Sequence, residues 1–162
     1  MRPEEKIVKV IKDKFPTYQQ EVQICNQRRV DFADCRIKHE IKHIIECKDT
    51  DFFSGIGQLL FYEIGLGREV KKTLAISYTI FDYGDSDAVY GLLSNLMEIS
   101  EKYKIDILFV AENRNTMHIK TLFTKIILKL EKETSNCTKR LIKELREKQK
   151  CPIILSRLRE KP

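Results

Sequence analysis

The chain has no closely spaced pair of cysteines, although it contains five: Cys25, Cys35, Cys47, Cys137 and Cys151. Zinc and iron–sulfur sites usually take ligands from close Cys pairs, and the three histidines (His39, His43 and His118) show no zinc-binding spacing either. Reduced and mostly buried thiols are therefore expected. The sequence predicts neither a zinc nor an iron–sulfur protein.

Long apolar runs are also missing from the chain. No stretch approaches the ~18 consecutive apolar residues that a membrane span needs, and residues 1–6 lack the apolar core of a signal peptide. We therefore expect an intracellular protein, cytoplasmic in a cell or in an infected host, with no membrane partner. With no internal repeats and no low-complexity linker, the 162 residues are expected to form a single domain with a real core.

Charge is distributed unevenly along the chain. Residues 114–162 carry 14 Lys and Arg against 5 Asp and Glu, whereas the first 113 residues carry 16 against 19. A basic segment beside an acid-bearing core suits a polyanion partner, although a solvated, charge-laced helix would have the same composition. If the partner is a nucleic acid, the candidate contacts in this segment are Lys139, Arg140, Lys143 and Arg146.

Periodicity predicts an α/β fold in the first 113 residues. The predicted order is a helix over 4–14, strands over 21–25, 28–36 and 43–48, a helix over 54–64 closed by Gly65 and Gly67, a strand over 73–80, a helix over 88–103 capped by Asp87, and a strand over 105–110. A meander followed by β-α-β crossovers gives a mixed sheet with helices on both faces. Residues 117–130 are ambiguous between helix and strand, and residues 135–149 are predicted to be helical.

One predicted strand ends in a charged pair. Glu46 and Lys48 lie two residues apart in the strand 43–48, so their side chains point to the same face. Asp31 on the preceding strand can converge on the same point. A Glu-x-Lys pair is common by chance in so charged a chain, but unpaired charge is costly to bury beside an apolar strand. This context favours a functional site over solvated strand ends.

Two acids and a lysine at one point suit phosphodiester hydrolysis. Asp31 and Glu46 offer the hard oxygen ligands that Mg²⁺ prefers, and the backbone carbonyl of Cys47 could supply a third oxygen. Lys48 would orient or deprotonate a water, or stabilise charge in the transition state. Asp34 competes with Asp31 for the metal role if a β-bulge turns the strand.

Two predicted helices add candidate residues. Glu4 shares the apolar face of the first helix and could belong to the acid cluster, although an acid in the first helical turn is favourable by itself. Gln58 and Tyr62 lie one turn apart on the helix after the charged strand, and could reach DNA or a metal-bound water. The alternative for that pair is ordinary helix packing. His43 is expected to pack on the sheet rather than to act in catalysis.

Together these residues resemble the PD-(D/E)xK nuclease superfamily. The matching elements are an Arg-x-Asp ending at Asp31, the Glu46-x-Lys48 strand, and Gln58-x-x-x-Tyr62 on the following helix. The last element is similar to that of the RecB-like and exonuclease branches, and the entry helix with Glu4 to that of archaeal Holliday junction resolvases. Val30 stands where the motif has Pro, and no ATPase or helicase motif accompanies the domain.

The resemblance covers residues 1–113 and implies a restriction-endonuclease-like core, with residues 114–162 as a basic C-terminal extension. It implies that Asp31 and Glu46 bind Mg²⁺ or Mn²⁺, that Glu4 completes the acid cluster, and that Lys48 and Gln58 assist catalysis. The expected function is a Mg²⁺-dependent deoxyribonuclease acting on DNA in repair, recombination or replication, and a homodimer would allow both strands to be cut. The alternatives are a non-cleaving nucleic-acid-binding protein with the same fold, and a self-associating structural protein.

Overall fold

The structure is a computed structural model that describes residues 3–25, 28–35, 40–78, 86–111 and 115–132. These residues form four helices and six strands, in the order α1 (Pro3–Lys14), β1 (Gln19–Cys25), β2 (Arg28–Ala33), β3 (His43–Lys48), α2 (Phe52–Leu66), β4 (Lys71–Ser77), α3 (Ser86–Tyr103), β5 (Ile105–Val110), β6 (Thr116–His118) and α4 (Ile119–Lys132). The chain divides into two compact units, Met1–Lys120 and Thr121–Pro162, and the whole sheet belongs to the first. The predicted α/β class is confirmed.

The six strands of the described residues form one mixed sheet, and their spatial order follows the sequence from β1 to β6. The strands β1, β2 and β3 pair antiparallel as a meander, β3, β4 and β5 pair parallel through helical crossovers, and β6 returns antiparallel to β5. The first five residues of β3 are all buried. This confirms the central position, covered on both faces, that its apolar sequence predicts.

Helices α1 and α2 cover opposite faces of the sheet. The apolar side of α1 packs in a buried cluster that contains Ile7, Val10, Ile11, Phe32, Ile45, Cys47, Ala75, Leu108 and Val110. Ala75 belongs to this cluster, so its neighbour Leu74 on β4 points to the opposite face of the sheet. Helix α2 lies on that opposite face, because a Cβ added at its Gly55 would be 2.5 Å from Leu74 Cδ1. The side chains of Glu46 and Lys48 belong to the α2 face, since they alternate along β3 with Ile45 and Cys47.

The ends of α2 differ from those predicted. The Asp51 side chain caps the N-terminus by accepting a hydrogen bond from the Ser54 backbone N–H at 3.1 Å, so the helix begins at Phe52 rather than at residue 54. Gly67 ends the helix in the left-handed conformation, with a φ of 63°. Gly65 lies inside the helix, so only the second of the two predicted terminating glycines has that role.

Other element ends also move by a few residues. Helix α3 begins at Ser86, which places Asp87 in its first turn instead of before it, and β4 spans Lys71–Ser77 rather than 73–80. The ambiguous segment 117–130 divides between β6 and α4. The predicted helix over 135–149 lies outside the described residues. Among the described helices, none is both long enough and apolar enough to cross a membrane.

His43, at the start of β3, is a packing residue as expected. The residue is 4% exposed, with Nδ1 2.8 Å from the Tyr18 hydroxyl and Nε2 2.8 Å from the Thr73 hydroxyl. Burial, with a further contribution from the positive charge of Lys71, lowers the pKa of His43 to about 4. The folded protein therefore keeps this imidazole neutral at pH values where the unfolded chain protonates it.

Stability should fall as the pH is lowered from about 6.5 to about 4, because the unfolded chain then binds a proton at His43 that the folded protein refuses. Between about pH 7.5 and about pH 5, the protonation of His43 in the unfolded chain alone should lower the free energy of unfolding by about 2 kcal/mol. Urea unfolding of the parent and of His43→Gln over this range measures it. The variant loses packing equally at every pH, so the difference between the two should shrink at low pH. Parallel curves would contradict the buried neutral imidazole.

Candidate functional site

The ends of β2 and β3 bring Asp31 to the backbone of Cys47. The two strands pair through Phe32 with Ile45 and Ala33 with Ile44. Next to these pairs, the Cys47 backbone N–H donates a hydrogen bond to Asp31 Oδ2 at 2.6 Å. The Asp31 carboxylate is therefore fixed beside the strand that carries Glu46.

Glu46 and Lys48 form an ion pair at the end of β3. Lys48 Nζ lies 2.8 Å from Glu46 Oε1, and the Glu46 side chain is only 3% exposed. The second carboxylate oxygen, Glu46 Oε2, is buried without a hydrogen-bond partner. A buried carboxylate oxygen left unsatisfied is costly, so a cation or a hydrogen-bond donor placed there would stabilise the site.

Burial and neighbouring charge shift the ionisation of all three groups. Burial raises the pKa of Glu46 to about 7, and the charge of Asp31 adds to this shift while Lys48 opposes it. Burial also raises the pKa of Asp31, although the hydrogen bond from the Cys47 N–H and the charge of Lys48 both act to lower it. Burial alone would lower the pKa of Lys48, but the hydrogen bond to Glu46 and the surrounding carboxylates outweigh it and raise that pKa. The site thus favours positive charge beside its two carboxylates.

Gly55 of α2 provides the room for the Lys48 side chain. A Cβ at this position would lie 2.9 Å from Lys48 Cγ as well as 2.5 Å from Leu74 Cδ1. The alkyl chain of Lys48 therefore passes directly against the helix backbone on its way to Glu46. Gln58 lies one turn further along α2, and its Oε1 is buried without a hydrogen-bond partner. Spacing in the sequence does not indicate Gly55, because it cannot show how closely a strand approaches a helix.

Further acids lie around this centre. Glu4 is exposed in the first turn of α1, and its charge reaches Asp31 and Lys48. Glu21, which no sequence motif indicates, lies opposite Asp31 by the register of β1 on β2. Its φ of 51° is uncommon for a residue with a side chain. Its charge raises the pKa of Asp31. Asp49 follows Lys48, and its Oδ1 is buried without a partner.

These acids do not gather into one tight cluster. Within the described part of the chain, no group of three or more His, Cys, Asp or Glu side chains could hold a metal ion. A ligand role for Glu4, which is exposed, stays a prediction. Mg²⁺, however, usually keeps several of its waters and binds through one or two carboxylates. Asp31 and Glu46, with the unpartnered Glu46 Oε2, fit such a hydrated ion. A ligand role for the Cys47 carbonyl stays a prediction.

Two further candidate residues, Tyr62 and Asp34, make contacts that hold the fold together. Tyr62 is 2% exposed, and its hydroxyl donates to the Arg29 carbonyl at 2.7 Å, so it joins α2 to β2 and is not presented to a nucleic acid. Asp34 lies beyond the end of β2, where its backbone N–H donates to the His43 carbonyl at 2.9 Å. Burial, with a further contribution from the Asp34 charge, raises the pKa of Cys35. Asp31, not Asp34, is therefore the acid beside Glu46. Four predicted nucleic-acid contacts lie outside the described residues: Lys139, Arg140, Lys143 and Arg146.

Similarity to known proteins does not assign this site. No family model matches the chain, and comparison with curated proteins and with solved structures gives no match. Its function is therefore inferred from the geometry of Asp31, Glu46 and Lys48.

Proposed function

We propose that this chain is a metal-dependent DNA nuclease with a restriction-endonuclease-like core of the PD-(D/E)xK type. The observation that carries the proposal is the meeting of two carboxylates and an ammonium at the ends of two adjacent strands. Asp31 Oδ2 accepts from the Cys47 N–H at 2.6 Å, and Lys48 Nζ lies 2.8 Å from Glu46. The element order from α1 to β4 supports the proposal, since the superfamily core has the same order.

Asp31 and Glu46 are the residues that would hold a Mg²⁺ or Mn²⁺ ion. Such an ion, when bound, polarises a phosphate and lowers the pKa of a water. The Cys47 N–H keeps the Asp31 carboxylate in one orientation. Gln58 can accept a hydrogen bond from a water at its unpartnered Oε1. In this proposal Cys47 orients the Asp31 carboxylate and Gln58 orients a water beside the reacting phosphate.

Lys48 acts as a cation in this proposal. Because its pKa is raised, the ammonium keeps its proton and can stabilise the negative charge that develops on the phosphate. Of the roles that the sequence leaves open for Lys48, this favours charge stabilisation over removal of a proton from water. Electrostatic stabilisation of this kind contributes ~10²–10³ in rate for a single well-placed donor.

A second candidate is a nucleic-acid-binding protein of the same fold that does not cleave. The observation that favours it is the ion pair at 2.8 Å between Lys48 Nζ and Glu46 Oε1, which already neutralises one of the two proposed ligands. This candidate and the nuclease differ in whether DNA is cut, which makes them separable in one assay.

The test is cleavage of labelled single-stranded, duplex, flap and four-way DNA in the presence of Mg²⁺, Mn²⁺ or EDTA. Cleavage should require the metal, and Glu46→Gln should lower its rate at least ~100-fold, because it removes a ligand charge but keeps the shape of the side chain. The matched control is Glu98→Gln, an exposed carboxylate on α3. If Glu46→Gln cuts DNA as the parent does, the assigned site is wrong.

Metal binding can be measured separately from cleavage. Mg²⁺ at about 100 times its dissociation constant should stabilise the parent by roughly 2.7 kcal/mol, which thermal unfolding detects as a higher Tm. Asp31→Asn and Glu46→Gln should remove this shift, whereas Glu98→Gln should retain it. A metal-induced shift without any cleavage of DNA would favour the non-cleaving candidate.

A further inference from the structure

Helix α2 exposes an apolar stripe on the side that is turned away from the sheet. Phe53 is 62% exposed, Phe61 39% and Ile64 78%, and the half-buried Leu60 and exposed Gly57 complete the set. At ~100° per residue, these five positions centre about 180° around the helix from Gly55, which contacts the sheet. We name these five residues the α2 stripe.

The α2 stripe offers few polar groups for water to hydrogen-bond. The helix contains a single charged residue, Glu63, whose carboxylate bonds to the buried Lys72 ammonium at 2.5 Å. A helix that is apolar on all its sides is normally buried on all its sides, and a contiguous exposed apolar patch usually marks an interaction surface. The outer side of α2 is therefore expected to pack against an apolar partner.

We propose that the α2 stripe joins two copies of this chain, with their α2 helices antiparallel across a two-fold axis near Gly57. Two of its aromatic side chains are placed symmetrically about this glycine, since Phe53 lies four residues before it and Phe61 four residues after it. A Cβ added at Gly57 would meet nothing within 4 Å, so the helix backbone lies open there. A two-fold axis at Gly57 places Phe53 of each copy beside Phe61 of the other.

The charges at the two ends of the stripe complement each other in this arrangement. Asp51 is exposed before the first turn of α2, whereas Arg68 is exposed after its last turn. Arg28 lies over the Phe61 ring, 4.9 Å from its centre, and adds a second positive charge at the same end. Antiparallel helices bring the acidic end of one copy to the basic end of the other, which fixes the orientation of the pair.

The area of the α2 stripe predicts a weak dimer. Its large side chains leave roughly 400 Å² of apolar surface per copy, or about 800 Å² for the pair. This is smaller than the ~1,200–2,000 Å² of a standard stable interface. The monomer is therefore expected at low concentration, with a dissociation constant for the dimer in the micromolar range or above. This interface requires neither metal nor DNA, so it stands apart from the proposed nuclease activity.

Sedimentation velocity from about 1 μM to about 500 μM, in EDTA and without nucleic acid, measures the association. Phe53→Ser should weaken the dimer about 30-fold, as truncation of a central apolar contact does. Ile64→Ser, farther from the two-fold axis, should weaken it less. Gly57→Lys should abolish it, and because nothing surrounds this position in the single chain the fold should be kept. The control is Tyr103→Ser, which removes an exposed aromatic side chain outside the stripe and should leave the association unchanged.

Cross-linking tests the position of the two-fold axis. Gly57→Cys should form a disulfide-linked dimer under mild oxidation, well above the level of the parent with its own cysteines. Gly91→Cys is the matched control, because Gly91 is also an exposed helical glycine with nothing within 4 Å of an added Cβ. A chain that stays monomeric at every concentration overturns the proposal. So does equal cross-linking at the two positions, or a Phe53→Ser variant that changes DNA binding but not self-association.

Discussion

Replacing Lys48 by methionine is expected to lower the rate of DNA cleavage by about three orders of magnitude, with DNA affinity changed far less. The ammonium, 2.8 Å from Glu46, is the positive charge that this site places among its carboxylates. Loss of a charged group that acts only on the transition state costs roughly 10²–10⁴ in rate. Methionine keeps an unbranched chain to fill the passage beside Gly55. Single-turnover cleavage in Mg²⁺ and fluorescence anisotropy in EDTA measure the two effects.

The same variant should be less stable than the parent, because it leaves the buried Glu46 carboxylate without its cation. Removing one partner of a buried pair usually costs several kcal/mol, and the partial exposure of Lys48 reduces the expected loss to about 1–3 kcal/mol. Adding Glu46→Gln should restore stability without restoring cleavage. Lys104→Met, which breaks an exposed pair with Glu69, is the control for both measurements. A Lys48→Met protein that cuts DNA within about tenfold of the parent rate would refute this role.

Gly55→Ala is expected to destabilise the protein by about 1 kcal/mol, and by about 2 kcal/mol at most, although alanine is the better helix former. The new methyl group would lie 2.5 Å from Leu74 Cδ1 and 2.9 Å from Lys48 Cγ, and Leu74 is fully buried in β4. Overpacking of this kind costs about 1–3 kcal/mol, against ~1 kcal/mol gained in helix propensity. Denaturant unfolding gives the change in the free energy of unfolding. Cleavage should also slow with little change in KM, because the displaced chain belongs to Lys48.

Gly57→Ala is the matched control for this prediction. The glycine is two residues away in the same helix, and an added Cβ there meets nothing within 4 Å. Only the propensity term applies, so this variant should be more stable than the parent by up to about 1 kcal/mol. Equal effects of the two substitutions would show that α2 does not approach Leu74 and Lys48 as closely at Gly55 as the structure indicates.

Much of the fold follows from periodicity in the sequence. The strands β3 and β5 begin and end at the predicted residues, because continuous apolar runs bounded by charged or turn residues define buried strands sharply. Element ends are less predictable where a cap decides them. Ser54 reads as a helix start, yet the carboxylate of Asp51 reaches the Ser54 N–H and begins the helix earlier. The sequence pattern does not rank these two caps.

The site is predictable only where local geometry decides it. Strand alternation is enough to place Glu46 and Lys48 on one face, whatever the rest of the fold does. Tyr62 shares a helix face with Gln58, but its depth depends on how closely α2 approaches β2, which no spacing reveals. Glu21 is missed for a related reason: its position opposite Asp31 comes from the register of β1 on β2. Long-range approach and register are tertiary properties, so a single sequence carries little sign of them.

Strand β3 is shared by the antiparallel half of the sheet, β1 to β3, and the parallel half, β3 to β5. Its backbone amides are bonded between two neighbours, so hydrogen exchange along β3 requires the sheet to part at its centre rather than to fray from an edge. The site also draws Asp31 from the antiparallel half and Gly55 from the crossover helix of the parallel half. The acids and the lysine therefore come together when β2 pairs with β3, and the room for the Lys48 side chain comes only when α2 packs on the sheet. The amides of β3 should exchange more slowly than those of the edge strand β1.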